Sequence, residues 1–345
     1  MNLRLITCVS GLLLAATTMA EARDQIRVVG SSTVFPFATA VAEKFGRTTE
    51  FKTPVIESTG SGGGLKLFCA GLGVRHPDIA NSSRRIKKTE VDRCAKNGVL
   101  DVTEVKIGYD GIVLSNSRAS KQMKLTLRQL YLALAKDVPA DGEAAELVPN
   151  PYTTWSDVDP NLPNEPIEVM GPPPTSGTRD AFVELAMEGG CKTFPFIKAM
   201  KKTDKKKYKA VCHAVREDGT FVEAGENDVL IVQKLVANPA AFGVFGFSFL
   251  DQNIDKIQGS VIDDVEPTFE SIAGSSYPVS RSMYFYVKNA HAGVIPGIVE
   301  YVSEFSNENT WGPDGYLTEK GLIPMPAAER AKWRQAGISL QPLQL

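Results

Sequence analysis

Short strand-forming runs alternate with amphipathic helical patterns through most of the chain. Residues rich in β-branched and other apolar side chains occur at 26–29, 54–57, 78–80, 104–116, 167–170, 242–247 and 283–287. Between these runs, apolar residues recur at helical spacing at 34–45, 65–70, 89–96, 127–135 and 179–187. Alternation of this kind is typical of α/β architecture, so the pattern predicts an α/β fold.

The first twenty-two residues combine a short basic start, an apolar core that reaches Ala16 and a small-residue tripeptide at 20–22. This order is typical of a secretory signal peptide. The apolar run is too short for a permanent membrane helix, and Cys8 precedes the core, where a lipid-attachment cysteine would follow it. We therefore expect cleavage near Ala22 and export to the periplasm, with a retained anchor as the alternative.

The composition describes a large, nearly neutral protein. The roughly 320 residues after the signal peptide suffice for two domains, and the whole sequence is 43% hydrophobic. Its 38 basic and 40 acidic residues give a net charge of -2, and removing Arg4 and Glu21 with the signal peptide leaves that value unchanged. This balance argues against nucleic acid as the main partner. Seven lysines at 198–209 could attract anions or a transporter, or could form an ordinary solvated face.

Four cysteines follow the signal peptide: Cys69, Cys94, Cys191 and Cys212. An even number in an exported chain predicts disulfides, for which three connectivities exist. Proximity along the chain favours Cys69 with Cys94 and Cys191 with Cys212. A zinc site would need closely spaced ligand pairs such as C-x-x-C, which the sequence lacks. No metal or cofactor is expected.

Three segments share one design, in which a strand-like run ends in glycine or small hydroxyl residues and then opens a helix. They are residues 28–34, 58–64 and 175–179. A helix amino terminus offers unpaired N–H groups to an anion, glycine permits close approach, and Ser or Thr adds a hydroxyl donor. The same residues are ordinary helix caps, so one segment alone is weak evidence. Three of them, with Arg84 and Arg179 nearby, favour a tetrahedral oxyanion as ligand.

Five motifs together resemble the phosphate-binding protein of high-affinity phosphate ABC transporters. They are Gly-Ser-Ser-Thr-Val-Phe-Pro-Phe at 30–37, Ser-Thr-Gly-Ser-Gly-Gly-Gly-Leu-Lys at 58–66, Asp-Ile-Ala-Asn-Ser-Ser-Arg at 78–84, Thr-Ser-Gly-Thr-Arg-Asp-Ala-Phe at 175–182 and Tyr-Pro-Val-Ser-Arg at 277–281. The motifs follow one another in the family's order across nearly the whole mature chain.

The resemblance implies a two-lobed periplasmic binding protein of type II, with two crossover strands and a central cleft. Lobe 1 would comprise residues 23–114 and 273–345, and lobe 2 residues 115–272. The crossover strands are expected near 108–115 and 278–284. Such a protein binds inorganic phosphate in the cleft and delivers it to the membrane permease of an ABC transporter. We expect a monomer that catalyses no reaction.

The resemblance also implies which residues contact the anion. The first-lobe residues are Thr33 and Val34 in one loop and Ser61 in the glycine-rich turn. Their neighbours Ser32 and Gly62, together with Ser83 after the third strand, are predicted to contact the anion with them. The second-lobe residues are Ser176, Gly177 and Thr178.

The sequence departs from the family pattern at two positions. It has Ser83, followed by Arg84, where the pattern has an aspartate, and Pro172 where the pattern has an arginine. Arg84 and Arg179 could supply the missing guanidinium. Protonated phosphate needs an acceptor that sulfate does not. We predict that Asp110 accepts this proton or orients Arg84; alternatively, it is a polar residue at a strand bend.

Several residues near the predicted crossovers are placed outside the predicted site. Tyr109, Tyr277 and Trp155 are expected in the core, with a position along the cleft as the alternative. Arg281 could reach the cleft or pair with a carboxylate in the hinge.

Three alternative functions remain open. An enzyme is disfavoured, because the three histidines lie at no metal-ligand spacing and Ser61 has no identifiable base. The same fold could bind sulfate, molybdate or another tetrahedral anion instead. The protein could also be an exported phosphate scavenger or sensor without a transporter.

Overall fold

The computed structural model describes residues 23–140, 145–225 and 228–344. The signal peptide, its cleavage point near Ala22 and Cys8 lie outside the described residues. The helices are α1 Phe35–Thr48, α2 Ser61–Phe68, α3 Lys88–Lys96, α4 Leu127–Leu134, α5 Trp155–Val158, α6 Gly177–Phe182, α7 Glu188–Cys191, α8 Pro195–Thr203, α9 Lys205–Cys212, α10 Asp228–Ala237, α11 Phe247–Gln252, α12 Phe269–Ala273, α13 Ile298–Phe305, α14 Glu308–Trp311 and α15 Ala327–Ile338. A π-helical turn, Val183–Met187, continues α6, and 3₁₀ turns occupy Asn289–His291 and Thr318–Lys320.

The strands are β1 Arg27–Gly30, β2 Val55–Ser58, β3 Ile79–Ser82, β4 Val102–Ser117, β5 Lys124–Leu125, β6 Asp137–Pro139, β7 Leu147–Pro149, β8 Val169–Gly171, β9 Phe221–Glu223, β10 Phe242–Gly246, β11 Ile257–Gly259, β12 Val261–Ile262 and β13 Ser280–Lys288. The main sheet has the order β2-β1-β3-β13-β4-β10-β8-β9, and β11 also pairs with β4. Its two ends are parallel, whereas the central pairs β3–β13, β13–β4 and β4–β10 are antiparallel. The predicted α/β fold is confirmed.

The long strand β4 joins the two ends of the sheet. Its residues 102–111 pair with β13, and its residues 112–117 pair with β10 and β11. Most of its side chains are buried, although polar and charged residues are interleaved with its apolar ones. The first predicted crossover therefore lies inside β4, and the second corresponds to the start of β13. These two central strands connect two α/β lobes.

The carboxy-terminal segment packs on the first lobe. Helix α1 buries Phe37, Val41 and Phe45 at helical spacing, and the hydroxyl of Tyr301 on α13 donates to the carbonyl oxygen of Ala38 at 3.2 Å. The Phe45 and Tyr301 rings meet edge to face, with centroids 5.7 Å apart. The carboxy-terminal segment thus contacts the lobe in which the chain begins, while the predicted lobe bounds stay a prediction.

Two disulfides join neighbouring helices within the lobes. Cys69–Cys94 links the end of α2 to α3, and Cys191–Cys212 links α7 to α9. The pairing that chain proximity favoured is confirmed.

Replacing Cys191 and Cys212 together by serine should lower the free energy of unfolding by about 3 kcal/mol, because the crosslink restricts the unfolded chain. Urea unfolding of the oxidised protein measures this change. The Cys69–Cys94 disulfide closes a loop of similar size, with a sequence separation of 25 residues against 21. The matched variant with these two cysteines replaced by serine should therefore lose a similar free energy of unfolding. An unchanged unfolding midpoint in both variants would contradict the expectation.

The lysine-rich stretch at 198–209 forms most of α8 and α9, and all seven lysines are exposed. Lys201 pairs with Glu188 on α7 at 2.7 Å. The exposure agrees with a solvated helical face. Among the residues that the structure describes, no helix combines the length and apolar character that a membrane span requires.

Candidate functional site

A cleft of about 620 Å³ lies where the two lobes meet. The first lobe contributes Ser32 and Thr33, and the second contributes the loop at 175–178. Asp110 of β4 lies between them on the central strands. Six predicted site residues line this cleft: Ser32, Thr33, Asp110, Ser176, Gly177 and Thr178.

The first-lobe loop is held in place by a close backbone contact at Gly30. This residue has φ +140°, and a Cβ atom there would lie 2.1 Å from the carbonyl oxygen of Asn81. Only glycine therefore fits where β1 ends against β3. The Ser31 N–H then donates to Asn81 at 3.0 Å. This contact fixes the start of the turn that places Ser32 and Thr33 before α1.

The glycine-rich turn lies beside this loop. The Ser83 N–H donates to the Ser61 hydroxyl oxygen at 3.1 Å, and the two hydroxyl oxygens are 3.0 Å apart. These bonds tie the start of α2 to the end of β3. Ser61, Gly62, Ser83 and the buried Val34 are not among the residues that line the described cleft, so their contact with an anion stays a prediction.

The second-lobe loop faces the first lobe across the cleft. Ser176 caps α6, its hydroxyl oxygen accepting the Thr178 N–H at 3.2 Å. A Cβ atom on Gly177 would lie 3.4 Å from the Ser32 carbonyl oxygen and 3.7 Å from the Thr33 Cα. Two of the three predicted anion loops therefore meet directly, although 143 positions separate Thr33 from Ser176 in the sequence.

Asp110 pairs with Arg281, its neighbour on β13. Arg281 Nε donates to Asp110 Oδ2 at 3.2 Å, and the two side chains are only 9% and 13% exposed. Burial raises the pKa of Asp110, while the Arg281 guanidinium acts in the opposite direction. The prediction that Asp110 orients Arg84 is wrong, because the guanidinium that it holds is that of Arg281. Its role as a proton acceptor stays a prediction.

The other two predicted arginines are held elsewhere. Arg84 forms a bidentate pair with Glu90, at 2.9 and 2.8 Å. The Arg179 guanidinium lies 4.5 Å from the centre of the Phe221 ring and donates to the Pro172 carbonyl oxygen at 3.3 Å. Neither side chain is among the residues that line the described cleft. Their contact with an anion stays a prediction.

Sequence reasoning left Arg281 outside the site but did consider that it pairs with a hinge carboxylate, and this pairing is confirmed. The usable signal was the expected proximity of the two crossover strands, which makes Asp110 and Arg281 cross-strand neighbours. Tyr109, Tyr277 and Trp155 are buried, as expected for core residues. Sequence reasoning missed four further charged cleft residues: Asp180, Asp228, Glu319 and Lys320.

Two lobes joined by central strands, with a cleft between helix-start loops, define the class of two-lobed solute-binding proteins. A family profile described as "PBP superfamily domain" matches residues 15–308. The chain therefore belongs to the PBP superfamily, a family of substrate-binding receptors.

Proteins similar to this chain include two from bacteria. Protein SphX of Synechococcus elongatus is 28% identical over 311 residues, covering 88% of this chain and 79% of the relative. The phosphate-binding protein PstS of Staphylococcus saprophyticus is 29% identical over 275 residues, covering 77% and 70%. The crystal structure of "a possible phosphate binding protein" from Planctomyces limnophilus matches with a TM-score of 0.72 and 26% identity, covering 92% of this chain and 98% of that one.

Proposed function

We propose that this protein binds inorganic phosphate in the cleft between its lobes and delivers it to the membrane permease of an ABC transporter. The observation that carries the proposal is the meeting of two helix-start loops, Ser32–Thr33 and Ser176–Thr178, around a cleft that also contains Asp110. Relatives named as phosphate-binding proteins, and a similar solved structure described in those terms, support the choice of anion.

The cleft offers the groups that phosphate requires. The hydroxyls of Thr33, Ser176 and Thr178 line the cleft and can donate to an anion. The Phe35 N–H at the start of α1 already donates to the Ser31 carbonyl oxygen, and the Thr178 N–H donates to the Ser176 hydroxyl, so these side-chain hydroxyls are the main donors. Asp110 is the proposed acceptor for the proton that phosphate carries near neutral pH. Sulfate has no such proton and would face an uncompensated carboxylate.

Binding and closure form one process in this proposal. Phosphate first meets the donors of one lobe and then draws the other lobe over itself, with residues 23–114 and 273–345 forming one lobe and 115–272 the other. In the closed, loaded state, six further residues are proposed to complete the anion site: Val34, Ser61, Gly62, Ser83, Arg84 and Arg179. The permease would recognise that state. The mature protein acts in the periplasm after cleavage near Ala22, as a monomer that catalyses no reaction.

Titration calorimetry of the purified mature protein, stripped of anions, tests this function. We expect one-to-one binding of phosphate at neutral pH that excess sulfate does not displace. Equal or tighter binding of sulfate would move the function to another oxyanion. Absence of binding by both anions would overturn the proposal.

A further inference from the structure

One guanidinium connects the parts of the cleft that have to move together. Arg281 lies on β13, and its Nη2 donates to the Thr33 hydroxyl in the first lobe. Its Nη1 donates to Glu184 Oε2 at 2.7 Å in the second lobe, and its Nε donates to Asp110 on β4. A single buried side chain therefore contacts both lobes and the strand between them.

The contact with Thr33 determines what that hydroxyl can do. A hydroxyl has one hydrogen to donate and lone pairs that accept. Because Arg281 donates to the Thr33 oxygen, the hydrogen of Thr33 remains available for another acceptor. Thr33 lines the cleft, so an anion oxygen is the acceptor that this arrangement fits.

The contact with Asp110 leaves a hydrogen-bond acceptor available to the ligand. A guanidinium has no acceptor and no readily lost proton, so its neighbour is favoured as a charged carboxylate. Asp110 Oδ2 is engaged by Arg281, which leaves Asp110 Oδ1 as the oxygen for a ligand proton. Three donors diverging in one plane serve Thr33, Asp110 and Glu184 at once, a geometry that lysine cannot reproduce.

We propose that Arg281 is a positioning residue for phosphate, presenting Thr33 as a donor and Asp110 as an acceptor, with Glu184 joining the arrangement from the second lobe. The inference rests on the proposed function, because it assumes that phosphate is the ligand of this cleft. Glu184 lies in the π-helical turn directly after α6, the helix that begins at the Ser176–Thr178 loop. The helical segment that contacts the first lobe through Gly177 therefore also contacts Arg281 through Glu184.

The same geometry couples two opposite charges to Asp110. Burial is the main cause of its raised pKa, Arg281 lowers that pKa, and Glu184 raises it. The other charged groups that line the cleft are Asp180 on α6, Asp228 at the start of α10, and Glu319 and Lys320 on the 3₁₀ turn. Removing the charge of Arg281 should raise the pKa of Asp110, and removing the charge of Glu184 should lower it.

Phosphate titrations over a series of pH values with Arg281→Gln and Glu184→Gln test the inference. A protonated Asp110 cannot accept a proton from phosphate, so binding should weaken as pH falls through its pKa. For Arg281→Gln we expect the Kd at neutral pH to rise about a hundredfold, and the loss of binding to begin at a higher pH than in the wild type. For Glu184→Gln we expect the Kd to change by less than about tenfold and the loss to begin at a lower pH.

The matched control is Arg330→Gln. Arg330 is as buried as Arg281, with 8% exposure, but it pairs with Glu308 outside the cleft at 2.8 Å. This variant should lose stability without moving the pH profile of binding.

Four outcomes are decisive. A weaker Arg281→Gln variant with an unmoved profile, or profiles that shift in the same direction in both glutamine variants, would reduce Arg281 to a packing role and overturn the inference. If Arg281→Gln does not fold, the half-exposed Glu184→Gln decides alone, and an unmoved profile there overturns it. Failure of the wild type to bind phosphate would instead overturn the proposed function.

Discussion

Replacing Gly177 by valine should weaken phosphate binding about a thousandfold while leaving both lobes folded. The Gly177 Cβ position lies 3.4 Å from the Ser32 carbonyl oxygen, an ordinary contact distance that leaves no room for two further methyl groups. The second-lobe loop would then stop short of the first lobe. About three charge-assisted hydrogen bonds from residues 176–178 would be lost, each worth about 1.5 kcal/mol. Their sum corresponds to a rise in Kd of about a thousandfold.

Gly177→Ala is the matched control, because a Cβ atom alone fits at 3.4 Å. Its Kd should stay within about threefold of the wild-type value. Small-angle scattering provides the second measurement: phosphate should compact the wild type and the alanine variant but not the valine variant. Tight binding by the valine variant would show that the anion does not require the two loops to meet, and the proposed closure would be abandoned.

Asp110→Asn should lower the preference for phosphate over sulfate by about a hundredfold. The asparagine amide removes the charge that repels sulfate and can donate to a sulfate oxygen, whereas the carboxylate can only accept. Competition calorimetry with both anions measures the ratio. A ratio equal to that of the wild type would mean that Asp110 is a structural residue of the strand bend and that another group provides the selectivity.

The same substitution should not destabilise the ligand-free protein. The folded state raises the pKa of Asp110, chiefly through burial, so the folded state holds this proton more tightly than the unfolded chain. The stabilising contribution is present below the unfolded pKa and is lost as pH rises through the folded pKa. At neutral pH the buried charge therefore lowers the free energy of unfolding, and asparagine removes that penalty. The asparagine carbonyl can still accept from Arg281, whose charge keeps Glu184 as its partner. Urea unfolding at neutral pH should give an equal or higher midpoint, and a clear fall would contradict this sign.

The local elements were predictable because each depends on neighbouring residues. The strand-forming run at 104–116 marked the central strand β4, and the small hydroxyl and glycine residues marked the starts of α2 and α6. The disulfide pairing followed from proximity along the chain, because short loops bring their own ends together at low entropic cost. The family resemblance that the motifs carry implied the two-lobed arrangement, with the anion loops on either side of one cleft.

The roles of the arginines could not be predicted in this way. Arg84 and Arg179 each follow an anion-loop motif, yet the Arg84 guanidinium pairs with Glu90 and the Arg179 guanidinium lies over the Phe221 ring. A long flexible side chain can reach several partners, and its choice depends on which carboxylates, rings and carbonyl groups the fold leaves within reach.

The family resemblance implied the two lobes. By itself, the sequence determined the α/β class, the helix-start loops and the small residues that an oxyanion requires. These features depend on strand and helix periodicity and on backbone geometry, which short stretches of chain encode. Only the tertiary structure decided that Asp110 is held by Arg281 and that Arg281 also contacts Thr33 and Glu184. The register between β4 and β13 and the contact between the lobes bring these four side chains together, and both arise from packing across the whole molecule.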